Sequence, residues 1–435
     1  MHSQLTQRKI FYFWLPLAAT WFMMSVEGPF LSALIARLPD PKFNLAAYGV
    51  AFSFALVIEA PVIMMLSAAT TLVRNTQSYY ALRKFNIIMI IILTIMMLLL
   101  VFPPVFYFIA EDLIGLPKEV SRLTHLAIII MIPWPGAIGI RRFYQGILIR
   151  NDMTRRVAYG TVIRITTIVI TATLLFRFTK MPGALLGAAA LSTAVIFEAL
   201  ASRIMAKKII IKIKSGSANN NIKYNLDSKS ITSFYFPLAV TSLLTLGVQP
   251  FVTFFIGQSR LAIESLAVMP VVTSFVFIFR GLGLSFQEVV VALLGEQKEG
   301  YQQLKIFAVR LAFILAGMLV VIAFTPLADF WFKSVSGLTD YLAVIASEPL
   351  MIMSLFPALT VLICFQRGTL VSVKNTKPIT YGTAIEFITI IVVLFIAIKY
   401  FDAIGAVAAT VSFVLGRIAA NLYLMPPTIS SLRND

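Results

Sequence analysis

The sequence predicts an all-α membrane protein, with 12 transmembrane helices in two six-helix bundles related by a pseudo-two-fold axis along the membrane normal. Three observations carry this prediction: an excess of apolar residues, their division into runs of membrane-spanning length, and a duplication relating the first six runs to the last six. Of 435 residues, 59% are apolar and 13% charged, against about 45–50% and about 25% in a soluble globular chain. A water-facing surface cannot absorb that excess, which excludes a soluble enzyme, a disordered scaffold and a nucleic-acid-binding domain. At roughly 20 residues per crossing, the length accommodates about twelve helices with short connections. Net charge is +17, but the basic residues sit mostly between apolar runs and therefore report topology. The single cysteine, Cys364, allows no internal disulfide, and with only His2 and His125 there is no His/Cys cluster for a metal. No metal and no cofactor are expected.

Apolar runs broken by Pro, Gly and charge clusters give spans at 9–38, 44–73, 85–110, 120–149, 156–177 and 183–206 in the first half. The second half gives 231–257, 261–294, 304–332, 338–371, 378–400 and 404–425. Several exceed 25 residues, which implies tilt, bending or ends projecting beyond the lipid. Prolines within them, among them Pro16, Pro29, Pro61, Pro237 and Pro250, remove backbone donors and favour kinks. The first span follows Arg8-Lys9, as a signal peptide would, but it is too long for one and carries Glu27. Lys and Arg are concentrated in the connections on the side of the N-terminus, including the polar stretch 207–230. The positive-inside rule puts both termini in the cytoplasm, and a multi-pass protein of the cell inner membrane is expected.

The stretch 207–230 bisects the chain into an N-terminal bundle (1–206) and a C-terminal bundle (231–435). Pro16-Leu17-Ala18-Ala19-Thr20 and Pro29-Phe30 recur as Pro237-Leu238-Ala239-Val240-Thr241 and Pro250-Phe251, at an offset of 221 without a gap. Leu45-Ala46 and Ser53-Phe54 match Leu266-Ala267 and Ser274-Phe275 at the same offset. Pro135, Phe143, Gly146 and Leu148 match Pro357, Phe365, Gly368 and Leu370 at 222, and Gly187-Ala188 resembles Gly405-Ala406. An even number of spans per half gives parallel repeats, the plan of an alternating-access transporter with its substrate between or within two lobes.

Charges at bilayer depth are costly and face protein or a water-filled cavity. Glu27, Glu59, Arg141, Arg142, Arg164, Glu198, Arg280, Glu288, Arg367, Glu386 and Arg417 all fall inside spans. At offset 221, Glu59 is the counterpart of Arg280, and residues facing a two-fold axis approach their symmetry mates. The two are expected either to form a cleft gate or substrate site, or to make a permanent interhelical pair. Glu27, beside Gly28 and Pro29, suits a protonation-linked bend or a cation site, and is the expected ion-coupling residue. Arg367 stands opposite Gln145 in the repeat and, with Gln249, is a candidate substrate contact; a guanidinium binds carboxylate or phosphate through two parallel bonds. Arg141-Arg142, near the cytoplasmic end of their span, either serve the same purpose or snorkel to lipid headgroups. There is no phosphate loop, so energy comes from an ion or substrate gradient or from a partner rather than from ATP bound by this chain.

The connection after the second span, Thr70-Thr71-Leu72-Val73-Arg74-Asn75-Thr76-Gln77, lacks the Gly-x3-Asp-Arg motif of major facilitators. The chain instead resembles the multidrug/oligosaccharidyl-lipid/polysaccharide (MOP) superfamily, and within it the multidrug and toxic compound extrusion (MATE) branch and relatives of the progressive ankylosis (ANK) protein. Pro16-Leu17 with Glu27-Gly28, the run from Leu45 to Ser53, Gly146-Ile147-Leu148 and the run from Phe234 to Ala239 carry the resemblance. It implies a secondary active transporter, not an enzyme, exporting small organic compounds by multidrug antiport driven by protons or sodium. Export of small organic anions, which ANK relatives suggest, and lipid-linked saccharide flipping are the alternatives. MATE proteins couple through an acid in the first or seventh helix; here Glu27 is the only acid of the first span, and Val248 stands at its counterpart. The expected partners are the small-molecule substrate, the coupling ion and membrane lipid, with no nucleic acid, and the protein is expected to be a monomer.

Overall fold

The computed structural model describes residues 5–151, 153–215, 227–295, 297–373 and 375–433. Among the described residues the regular elements are helices, with one isolated β-bridge between Arg260 and Ile404. Eleven helices among the described residues are long and apolar enough to cross a membrane, and a bent pair, taken as one span, makes twelve. In the first half the spans are Gln7–Ala36, Pro41–Leu72, Thr76–Val101, the pair Lys118–Ile130 and Trp134–Arg150 with a 42° bend, Thr154–Phe178 and Gly183–Lys214. In the second half they are Lys229–Gly257, Ala262–Leu293, Tyr301–Ala323, Asp340–Ser372, Lys377–Phe401 and Gly405–Ser431. Below they are spans 1 to 12. The stretch expected to link the halves is helical at both ends, because span 6 runs on to Lys214 and the next helix starts at Ser228; residues 216–226 lie outside the described residues.

Local chemistry fixes several of these ends. Asn75 accepts a hydrogen bond from the Ser78 amide (2.8 Å), while Ser78 Oγ accepts one from the Asn75 amide (2.9 Å), a reciprocal cap that starts span 3. Thr6 and Thr339 cap spans 1 and 10 through their hydroxyls. Span 6 buries Gly183, Ala184, Gly187, Ala188, Ala190, Ser192 and Ala194, the small residues that let helices approach closely where water provides no hydrophobic drive.

The duplication extends to the backbone. Asp40 and Leu261 both take the left-handed conformation (φ 52° and 53°), as do Gly115 and Gly337 (φ 82° and 72°). Span 2 breaks at Met64 and span 8 at Ser285, while π-helical turns follow spans 3 and 9 at Phe108–Leu113 and Phe330–Val335. Gly146 and Gly368 occupy matching close approaches: a Cβ on Gly146 would collide with Leu66 O and lie 2.6 Å from Ala69 Cβ, and one on Gly368 would lie 2.7 Å from Val290 Cβ. In the sixth spans the register differs from that expected. Gly183, not Gly187, matches Gly405, since each is the first residue of its helix, and the Leu186 and Ala408 amides bond to Pro182 O and Ile404 O respectively. Span 6 simply repeats a Gly-Ala pair one turn later.

By packing, the chain forms two compact units, Met1–Ala46 with Phe254–Asp435 (the first unit) and Ala47–Thr253 (the second). The duplication groups spans 1–6 and 7–12 by sequence; packing exchanges the leading span of each half. In the first unit, Trp14 Nε1 of span 1 donates to Leu282 O of span 8 (3.2 Å), and Ile10, Trp14 and Ala18 join an apolar core with Phe286, Val290, Leu304 and Phe365. In the second unit, Tyr235 Oη of span 7 donates to Pro61 O of span 2 (2.5 Å). The two contacts are repeat mates, since both residues shift by 221. At each, an aromatic polar tip reaches a carbonyl just before a helix break.

Candidate functional site

Most of the intramembrane charges collect at one junction in each unit, formed by spans 2, 4, 5 and 6 in the second and by spans 8, 10, 11 and 12 in the first. In the second unit, Glu198 of span 6 is 2% exposed and accepts from Arg141 Nη1 of span 4 at 2.5 Å and from Gln145 Nε2 at 3.1 Å. Arg164 of span 5 stands 3.9 Å from the same carboxylate. A carboxylate at that depth is tolerable only when paired and hydrogen-bonded, and Glu198 is both. Glu59 of span 2 is 5% exposed and accepts a bond from Trp134 Nε1 at 2.5 Å. Arg142 interacts with both carboxylates.

In the first unit the same junction carries the charges on different helices. Glu386 of span 11 holds Arg417 of span 12, whose Nε and Nη2 both lie 2.8 Å from Oε1. Arg367 of span 10 is 3.9 Å from Glu386 Oε2, and its Nη2 donates to Thr383 Oγ1 at 3.1 Å. Arg280 of span 8 lies over the Phe356 ring, 4.5 Å from its centroid, with Arg417 5.0 Å from the same ring. A ring face attracts a cation but does not neutralise it. Two guanidinium groups therefore share one carboxylate, Arg280 feels it only through space, and the Nε atoms of Arg280 and Arg367 are buried without a hydrogen-bond partner.

The repeat reverses the charge at two positions of the junctions and adds one at a third. Arg164 corresponds to Glu386 and Gln145 to Arg367, each at 222, while Glu59 corresponds to Arg280 at 221. The aromatic beside each of the last two also corresponds, Trp134 to Phe356 at 222. An indole N–H serves the carboxylate; a phenyl face serves the guanidinium. The pairing expected between Glu59 and Arg280 joins residues of different units, and each has this aromatic partner within its own. Arg141, for which headgroup snorkelling was one expectation, is 5% exposed and bound to Glu198.

Glu27 is 9% exposed and begins the second segment of span 1, after a break at Val26. Gly28 packs so closely on span 8 that a Cβ would lie 2.6 Å from Ser274 Cβ, and Pro29 cannot donate to the helix. Gln249, the repeat counterpart of Gly28, is half-buried in span 7, which is unbroken. The sequence reading noticed Glu198, Glu386 and Arg417 without assigning them partners, and it missed Trp134 and Phe356. Their matched positions just before the paired prolines Pro135 and Pro357 were the available signal. Among the described residues no group of three or more His, Cys, Asp or Glu is placed to hold a metal ion.

These features define an all-α membrane protein built from a duplicated six-span unit. No protein-family model matches the sequence, and neither does any curated protein. Solved structures do. An inward-facing multidrug-resistance MATE transporter of the MOP superfamily superposes with a TM-score of 0.76 at 14% identity, covering 96% of each chain. The lipid II flippase MurJ, in an inward closed conformation, gives 0.75 at 17% identity, covering 96% of this chain and 89% of its own. A MOP-superfamily transporter from Pyrococcus furiosus, described as having a binding pocket of reversed polarity that suggests a different function, gives 0.66 at 15%, covering 99% and 98%. The fold is that of the MOP-superfamily transporters, MATE proteins among them.

Proposed function

We propose that this chain is a secondary active transporter of the inner membrane, with cytoplasmic termini, that exports small organic anions by alternating access with proton or sodium entry coupled through Glu27. The observation that carries the choice of cargo is the junction of Arg280, Arg367 and Arg417 around Glu386. Two of these guanidinium groups keep a buried N–H without an acceptor, and a carboxylate or phosphate supplies acceptors in the geometry that guanidinium prefers. Multidrug antiport is the second reading; the likeness to a multidrug-resistance MATE transporter favours it. Lipid-linked saccharide flipping is the third, favoured by the likeness to MurJ.

Flux in proteoliposomes separates them. Citrate and a cationic dye are tested side by side under imposed proton and sodium gradients. Gradient-driven citrate movement without dye movement is the expected result. Dye movement alone would overturn the anion reading and leave the arginines as packing elements.

A further inference from the structure

A second basic site lies in the Ala47–Thr253 unit, apart from the junctions above. Between spans 3 and 6 a pocket of about 500 Å³ is lined by Arg83, Arg203, Lys207 and Lys214, with Leu200 and Ile204 on its wall. No carboxylate lines it. None of the four bases has an ion-pair partner among the described residues, and the sequence 215–226 contains no acid. The buried Tyr79 and Tyr144 line it as well and bring hydroxyl donors.

Depth identifies the occupant. Span 6 has 32 residues, so it is about 48 Å long at 1.5 Å per residue, against roughly 30 Å of hydrocarbon. Counted from Gly183, about 20 residues cross, which places Arg203 and Lys207 at headgroup level, Leu200 at the hydrocarbon edge and Lys214 on the aqueous side of the headgroups. Leu200 and Ile204 are 50% and 70% exposed. A cationic pocket opening beside bare aliphatic side chains at that depth matches a ligand with an anionic head and apolar tails. The Lys and Arg bias puts this end at the cytoplasmic leaflet, whose lipids carry negative charge.

We infer that this pocket binds an anionic phospholipid, its phosphate at Arg203 and Lys207 beside Arg83, with Lys214 adding positive charge on the aqueous side and an acyl chain over Leu200 and Ile204. The test uses the full chain in nanodiscs of phosphatidylcholine with a minority of phosphatidylglycerol, extracted into mild detergent and weighed by native mass spectrometry. Wild type retains phosphatidylglycerol in preference to phosphatidylcholine. The double variant Arg203→Gln, Lys207→Gln loses it by roughly 25-fold, about fivefold for each charge removed. The charge-conserving Arg203→Lys, Lys207→Arg variant retains it and controls for folding, as does Lys118→Gln, Lys399→Gln, which removes the same charge elsewhere. Equal retention by wild type and the Gln double variant would overturn the inference. So would full displacement by inorganic phosphate alone, which would make this a free-phosphate site.

Discussion

Glu198→Gln tests the reasoning about buried charge in its sharpest form. The carboxylate is 2% exposed and its partner Arg141 6% exposed by side chain, 2.5 Å apart, with Arg164 at 3.9 Å. Glutamine keeps the volume and an acceptor oxygen but removes the negative charge, leaving buried guanidinium groups uncompensated. Breaking such a pair by removing one partner costs about 3–5 kcal/mol. For a cooperative unit of roughly 200 residues, each kcal/mol moves the midpoint by about 2–4 °C, so a fall of about 6–20 °C is expected. The assay is thermal unfolding of the purified protein in detergent, read by size-exclusion fluorescence. A second variant separates charge from shape. Adding Arg141→Met to Glu198→Gln removes one uncompensated charge, and the double variant should recover part of the loss instead of adding to it. A shift below about 2 °C for the single variant, or additive losses in the double, would refute the argument.

Other outcomes follow from the same geometry. Gly146→Ala places a methyl against Leu66 O and Ala69 and should cost about 1–3 kcal/mol in the same unfolding assay, whereas Gly317→Ala, with nothing within 4 Å, should be neutral or stabilise by up to about 1 kcal/mol. Arg37 donates from Nη2 to Ser334 O and Val335 O at 2.9 and 2.8 Å; Arg37→Met removes both bonds and should speed hydrogen exchange in the Phe330–Val335 turn, measured by mass spectrometry. Glu27→Gln should abolish the gradient dependence of flux while leaving the unfolding midpoint within about 1–2 °C of wild type; unchanged gradient dependence would remove Glu27 from coupling.

Much of the fold was legible because hydropathy and proline placement are local properties. The spans overlap the apolar runs, although span 3 covers Thr76–Val101 where 85–110 was expected and span 9 ends at Ala323 where 332 was expected. The frame of Pro16, Pro29, Pro237 and Pro250 revealed a duplication that the backbone repeats down to Asp40 and Leu261. The exchange of spans 1 and 7 between packing units was not legible. Hydropathy cannot distinguish a face that meets lipid from one that meets another helix, because both are apolar; Trp14 and Tyr235 look like ordinary interfacial aromatics until Leu282 O and Pro61 O are seen beside them. The charged residues were visible one by one, and the opposition of Glu59 to Arg280 followed from the offset. Their aromatic partners did not, since Trp134 and Phe356 reach them only through the crossing of spans 2 with 4 and 8 with 10. The same limit hid Glu386 as the acid that holds Arg417, because no spacing within a single helix brings spans 11 and 12 together.

The central claim, that an arginine junction selects an anionic cargo, is tested most directly by citrate flux in proteoliposomes with wild type and Arg280→Gln compared across substrate concentration. Removing one of the guanidinium groups is expected to raise the half-saturating citrate concentration by about tenfold or more, the loss of one charge-assisted bond of roughly 1.5–3 kcal/mol. Dye flux should be absent in both. Citrate flux unchanged by Arg280→Gln, or dye carried in place of citrate, would contradict it.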